Sequence, residues 1–237
     1  MVSLGDRQKD ILLALVNDYI KRGEPVSSKE LYTNYDFGIK PASIRAVLSE
    51  LTDNGWLSQF HTSGGRVPTD KAYELFAGET WQNVAEEPAL KHFRQLGESF
   101  LAGEMRDFVH DFSDTMHTLG VCAMAGEDVA YKSGLDELFG CLETNELAVF
   151  KEIAEDFEVL DERAKKFMGR KNEVREPGVS IGKKNQFMRS EHLSAVYGTY
   201  NVDGDKILLI AIGPKRMDYE KNLRVFKALE EAISNTN

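Results

Sequence analysis

The stretch HTSGGRVPTD, residues 61–70, decides how the first third of the chain is read. It sets two glycines, a proline, hydroxyl residues and one arginine between runs of helical character. WLSQF (56–60) and GRVP (65–68) read as short extended segments, so the stretch joins them as a hairpin. Outward from it, SLGDRQKDILLALVNDYIKRGEPV (3–26) is an amphipathic helix with Leu4, Ile11, Leu12, Leu15, Val16, Tyr19 and Ile20 on one side. Gly23 and Pro25 end it. VSSKELYTNY (26–35) is a second helix, capped by Ser27 or Ser28, with Glu30 three residues after Ser27 as in a capping box. DFGIK (36–40) turns. KPASIRAVLSELTDNGW (40–56) is a third helix, with Pro41 in its first turn. Its inward stripe is Ile44, Val47, Leu48 and Leu51. TDKAYELFAGETW (69–81) returns to helix, with Thr69 as cap. The order helix, helix, turn, helix, hairpin, helix is that of a winged helix-turn-helix, and residues 61–70 are its wing.

The rest reads as a small α+β domain. Residues 86–119 are mostly helical, with a stripe of Leu96, Phe100, Met105, Phe108, Phe112, Met116 and Leu119 interrupted by Gly97 and Gly103. GVCAMA (120–125) and DVAYK (128–132) are strand-like, and LDELFGCL (135–142) is a short helix. Residues 145–168 form one helix, since Leu147, Phe150, Ile153, Phe157, Leu160, Ala164 and Phe167 step by threes and fours. REPGVSIGKKNQF (175–187) holds a short strand. LSAVYGTYNVDGDKILLIAIGP (193–214) is two strands joined at Asp203-Gly204. A last amphipathic helix runs over 218–234. The expected division is 1–78 for the winged helix-turn-helix, 79–118 for a helical linker that can serve dimerisation, and 119–237 for the α+β domain.

The 237 residues suffice for one large domain or two small ones. No apolar run reaches the length of a membrane helix, and the N-terminus has no signal-peptide core. Cys122 and Cys141 have no metal-ligand spacing, so a reducing, cytoplasmic compartment is the simplest reading. The net charge of −10 argues against nonspecific coating of nucleic acid. The charge is uneven, however. Residues 1–75 hold nine Lys and Arg against ten Asp and Glu, so nearly all the excess lies beyond them.

Helix-turn-helix proteins read DNA with the second helix of the pair. Its outward positions here are Ser43, Arg45, Ala46 and Ser49, with Lys40 just before. Arg45 can grip a guanine edge, Ser43 a base or phosphate, and Ala46 only a methyl group. Ser28 and Lys29 begin the preceding helix, where phosphate is favoured. The wing supplies His61, Thr62, Ser63, Gly64, Gly65 and Arg66, and Lys71 follows it. Its glycines allow close backbone approach, and Arg66 can enter a minor groove. Other readings stand beside these. The same layout serves protein-interaction modules, Arg45 can pair with Glu50 or Glu30, and His61 can be a plain solvent residue. EEP, GED and AEDFEVLDER read as solvated carboxylate faces rather than an acid/base pair. IGKKN is a weak anion site. In GPKRMDY, Lys215 and Arg216 flank a strand–helix turn, either as a ligand site or as a helix start capped by Asp218. No catalytic cluster, metal set or phosphate loop is present, so neither enzyme chemistry nor a cofactor is expected.

GEPVSSKEL, PASIR, the L-x-x-N-G-W-L run at 51–57 and HTSGGRVPTDKAY, in that order, resemble the N-terminal domain of the heat-inducible transcription repressor HrcA family. Far downstream, YNVDGDKILLIAIGP and IGPKRMDYEKNLRVFKAL resemble its C-terminal part, with DVAYKSGLDELF and SIGKKNQF between. The resemblance covers 4–75 and, more loosely, 118–235. It implies an α+β protein with a winged helix-turn-helix and a GAF-like α/β regulatory domain, here reduced in size. It also implies a homodimer on an inverted-repeat operator (the CIRCE element) before chaperone genes, released on heat shock. The chaperonin GroEL would help keep it active, and no enzymatic activity or membrane contact is implied. A ligand-responsive regulator, its GAF-like domain sensing a small molecule, is the alternative. The chain departs from the family at Ala46-Val47, where Asn-Asp is usual after Ile-Arg, and mildly at Gly64, where Ala is usual. Loss of that Asn removes an adenine reader. The chain is also shorter than typical members, with little room between Trp81 and Asp128 for the family's inserted domain. Dimerisation would then fall to the 86–119 helix or to the GAF-like sheet.

Overall fold

The computed structural model describes residues 4–59, 64–84, 91–142, 146–170, 177–202 and 204–234, with backbone only for 91–95. They divide into two compact units, Met1–Glu79 and Thr80–Asn237.

The N-terminal unit begins with α1 (Asp6–Arg22), whose Ile11, Leu12, Leu15 and Val16 are wholly buried. It stops at Gly23, which is left-handed and donates its N–H to the Tyr19 carbonyl at 2.8 Å. In α2 (Ser28–Asn34) the cap is Ser27. Its hydroxyl accepts from the Glu30 N–H at 3.3 Å, and the Glu30 carboxylate accepts from the Ser27 N–H at 2.7 Å. Asp18 ties α1 to the end of α2 by accepting from Tyr35 (2.7 Å) and Asn34 (3.3 Å). α3 (Pro41–Asp53) carries Pro41 at its start and buries Ile44, Leu48 and Leu51. Val47, expected in that stripe, is only half-buried, because it lies at the edge of the apolar arc.

Strands β1 (Leu57–Ser58) and β2 (Val67–Pro68) pair antiparallel, and beyond them Val26 bridges to Arg66. The hairpin is therefore shorter among the described residues than expected. Thr69 precedes α4 (Asp70–Asn83), but its hydroxyl donates to the carbonyls of Gly55 and Trp56, both at 2.9 Å. It secures the exit of α3 rather than capping α4 with its side chain.

The C-terminal unit is built on a five-stranded antiparallel sheet in the order β4-β3-β7-β6-β5. Its strands are β3 (Leu119–Met124), β4 (Tyr131–Ser133), β5 (Gly178–Ile181), β6 (Leu193–Val202) and β7 (Asp205–Pro214). β6 and β7 form the expected hairpin, with Val202 opposite Asp205; Asp203 lies outside the described residues. The central strands are apolar on both faces because helices cover both. One face presents Leu119, Val121, Ala195, Tyr197, Leu208, Ile210 and Ile212 to α7 (Leu135–Gly140), α8 (Leu147–Glu158) and α9 (Leu160–Met168). The other meets α5 (Lys91–Leu101), α6 (Met105–Met116) and α10 (Tyr219–Ser234). There Phe112 lies 5.9 Å from Phe226 and Phe100 5.9 Å from Tyr200, ring centre to ring centre. A Cβ on Gly120 would come within 3.0 Å of the Phe112 ring, so the bare backbone lets that ring lie on the sheet.

Two helical runs read as continuous are broken. The stripe over 86–119 divides into α5 and α6 at Gly103, which has φ +75°. Residues 86–90 of that run lie outside the described residues. The 145–168 run divides at Val159, whose ψ of 8° leaves the helical range. The break falls beside Asp156, whose buried carboxylate accepts from Arg163 and from Arg189, both at 2.7 Å. Burial alone would raise its pKa, but these donors and the Arg189 N–H outweigh it and hold the carboxyl below its usual range. The AEDFEVLDER carboxylates are thus not all solvated: Asp156 is buried, and Asp161 accepts from Lys132 at 2.6 Å and the Ala130 N–H at 2.8 Å.

Candidate nucleic-acid interface

Lys40, Ser43, Arg45, Ala46 and Ser49 are all exposed on α3. At 1.5 Å per residue the strip from Ser43 to Ser49 is about 9 Å long, a length that fits within a major groove. Arg45 has no hydrogen bond or ion pair among the described residues. Glu30, one of its two expected partners, is taken by Arg22 at 2.7 Å. The strip ends in exposed Glu50 and Asp53, which would repel phosphate. The uncharged and basic exposed positions therefore lie mostly in the N-terminal half of the helix, the half that helix-turn-helix proteins present to base edges.

The preceding helix divides its two candidates. Lys29 is exposed, whereas Ser28 is 9% exposed and belongs to the packing under α2. The neighbouring capping box is strongly polarised. Hydrogen bonds from Ser27, with help from Arg22, hold the Glu30 carboxyl down at about 2.

The wing base is fixed more tightly than its composition suggested. A Cβ on Gly65 would lie 2.6 Å from the Pro25 carbonyl carbon and 2.7 Å from that of Val26. This glycine is small to admit the α1–α2 connection. Arg66 exchanges two main-chain hydrogen bonds with Val26, at 2.8 and 2.9 Å. Its Nε donates to the Thr52 hydroxyl at 3.0 Å, and that hydroxyl donates to the Leu48 carbonyl at 2.7 Å. Arg66 is half-buried at the root of the wing, so it does not stand at a free tip. Lys71 also has local duties: its Nζ donates to the Asn54 carbonyl at 3.2 Å and lies 3.8 Å from the centre of the Trp56 ring. Gly64 is exposed and accepts from the Gln59 side chain at 3.2 Å. His61, Thr62 and Ser63 lie outside the described residues. The structure thus leaves Lys40, Ser43, Arg45, Ala46 and Ser49 exposed along α3 and its N-cap. Thr52 and the Pro25-Val26 seat were missed, because neither a lone threonine nor a loop dipeptide carries a periodic signal.

In the C-terminal unit, Asp218 accepts from the Lys221 N–H at 3.0 Å, so GPKRMDY is a capped helix start. In IGKKN, Lys183 pairs with Glu191 at 3.4 Å. A groove of about 210 Å³ lies between the β3–β4 connection and α9, lined by Gly126, Asp128, Val129, Asp161 and Lys165. That is below the ~300 Å³ at which small-molecule pockets begin. No group of residues among those described could hold a metal, and no described helix is long and apolar enough to cross a membrane.

A winged helix-turn-helix with an exposed second helix, followed by an α+β unit, is the class of fold that the structure defines. The comparisons narrow the class. Residues 3–82 match the family model "Winged helix-turn-helix transcription repressor, HrcA DNA-binding", and residues 74–223 match "HrcA protein C terminal domain". The chain belongs to the HrcA family. It is 38% identical over 108 residues to the heat-inducible transcription repressor HrcA of Natranaerobius thermophilus, a match covering 46% of this chain and 32% of that protein. With the HrcA of Thermodesulfovibrio yellowstonii it shares 46% identity over 80 residues, 34% of this chain and 23% of that one. The matches to these two relatives span about a third of their length or less. In fold it resembles a crystal structure of a hypothetical protein solved at 2.2 Å, with a TM-score of 0.74 and 18% identity over 99% of this chain and 100% of that one.

Proposed function

We propose that this chain is a sequence-specific repressor of chaperone genes that binds an inverted-repeat operator of the CIRCE type as a homodimer. The observation that carries the reading is the exposed Arg45 on the second helix of the pair, with no partner among the described residues, inside a segment matching the HrcA DNA-binding family. Arg45, Ser43, Ala46 and Ser49 read base edges; Lys29, Lys40 and Arg66 meet phosphate, with Gly64 and the wing residues His61, Thr62 and Ser63 beside them. Lys71 and Gly65 act by holding this surface in shape. The apolar stripe of α5 and α6 is buried within the C-terminal unit, so pairing of two copies uses other surfaces. The protein acts in the cytoplasm, heat releases it by weakening the C-terminal unit, and the chaperonin GroEL supports its active state. It is a regulator and not an enzyme.

The test is a titration of the full chain against a CIRCE-type duplex and a scrambled one at several salt concentrations, with mass from light scattering. Tight binding of a dimer to the first alone is expected. Three basic contacts per copy predict that log Kd changes with log salt by a slope of about 5, from roughly six phosphates per dimer. Arg45→Ala should relax discrimination at one base pair by ~1–3 kcal/mol. Equal, weak binding to both duplexes, with no sequence recovered from a random pool, would remove the reading. Ala46, where the family has Asn, predicts reduced preference for adenine at one position of each half-site.

A further inference from the structure

Thr52 lies in the last turn of α3, on the side of the wing, and no part of the recognition strip includes it. Its hydroxyl serves two bonds at once, donating to Leu48 and accepting from Arg66 Nε. The main chain of Arg66 is already held by Val26. The side chain is thus fixed at its root and at its first guanidinium nitrogen, while its terminal nitrogens have no partner among the described residues.

We propose that Thr52 is a positioning residue of the DNA-binding surface. Through Nε it locks the plane of the Arg66 guanidinium, so that the terminal nitrogens meet a DNA phosphate as a ready-made fork. Through Leu48 it keeps that fork in register with α3. The inference rests on the reading of this unit as a DNA binder. Arginine gains from such fixing because its planar fork loses little freedom per hydrogen bond once oriented. A phosphate contact fixes the register of the base-reading helix without itself carrying sequence. Thr52 therefore affects how well Arg45 reads its base while touching no nucleotide.

The experiment uses the full chain and a duplex recovered by the wild-type protein from a random pool. Thr52→Val removes the acceptor at nearly constant shape. Binding is expected to weaken roughly three- to tenfold per copy, the range for releasing one rotamer-rich side chain, and by about the square of that factor for the dimer. The salt slope should stay unchanged, since the charge remains. Thr52→Ser should restore affinity. Arg66→Lys keeps the charge but cannot donate from the Nε position, and should match Thr52→Val even if valine disturbs α3. Arg66→Ala should lower the salt slope by about 2, one phosphate contact being lost from each copy of the dimer. On that background Thr52→Val should cost nothing further. Wild-type affinity in Thr52→Val or Arg66→Lys overturns the proposal, as does an undiminished loss from Thr52→Val once Arg66 is gone. A wild-type chain that recovers no sequence removes the DNA-binding reading itself, a separate and visible outcome.

Discussion

The two units reach order by different means. The C-terminal unit is held mainly by apolar packing on both faces of one sheet, with Phe100, Phe108, Phe112, Phe187 and Phe226 all buried, and polar ties at Asp156 and Asp161 added to it. The N-terminal unit has a core of mainly aliphatic residues and short elements joined by single polar fittings: Asp18 to Tyr35, Ser27 to Glu30, Arg66 to Thr52, Lys71 to Asn54. Packing tolerates small displacements only at the cost of cavities, whereas each fitting fixes one distance and one angle. A surface that must match a duplex is better defined by fittings. If, as proposed, heat acts on the C-terminal unit, that unit is better served by a core whose stability is summed over many small contacts.

The largest effect that would break this contrast lies in the aromatic core. Phe112→Ala leaves a hole between α6, Gly120 and Phe226, and should destabilise the C-terminal unit by about 3–5 kcal/mol. Hydrogen exchange resolved by residue should show faster opening in 100–230 with protection over 6–53 unchanged. Equal loss in both units would mean that they do not fold separately. Asp156→Ala should cost less, about 2–3 kcal/mol, because Arg163 keeps the Phe187 carbonyl and Arg189 is 56% exposed. Denaturant midpoints of the two variants rank them. Gly65→Ala forces a methyl group onto the Pro25-Val26 backbone, and about 1–3 kcal/mol of overpacking is expected. DNA affinity should fall further than stability does, since the wing root moves. A variant that binds normally would show that the seat is loose.

Much of this could be read in the sequence where a period or a cap was involved. The stripe of α1, the Ser27–Glu30 box, the strand pair across Asp203-Gly204 and the exposed face of α3 all follow from spacing alone. The breaks at Gly103 and Val159 could not, because the apolar rhythm runs through both and only the neighbouring packing divides the helices. The buried role of Asp156 was also hidden: its partners, Arg163 and Arg189, lie seven and thirty-three residues further on. In the candidate site, base-facing positions were legible because exposure on a helix is periodic. What holds them was not. Arg66 and Thr52 lie fourteen residues apart, and Gly65 answers to Pro25 across the whole helix-turn-helix.

The smallest effect tests a fitting without touching the duplex. Glu30 titrates near 2 in the folded chain, against an ordinary value near 4.5. A carboxyl depressed by folding adds stability that is complete above its unfolded value and is lost as pH falls through the folded one. The window is thus about pH 4.5 down to 2, and neutral conditions do not reveal it. Glu30→Gln keeps a side chain that can accept from the Ser27 N–H but has no charge to lose. Its cost at pH 7 should be only about 0.5–1 kcal/mol, since the capping bond is neutralised rather than deleted and the Arg22 contact is exposed to solvent. Between pH 5 and 2.5 the wild-type N-terminal unit should converge on the variant as its advantage drains away. Curves that stay parallel would place the stabilisation of α2 in apolar packing, and the contrast between the two units would then rest on the wing alone.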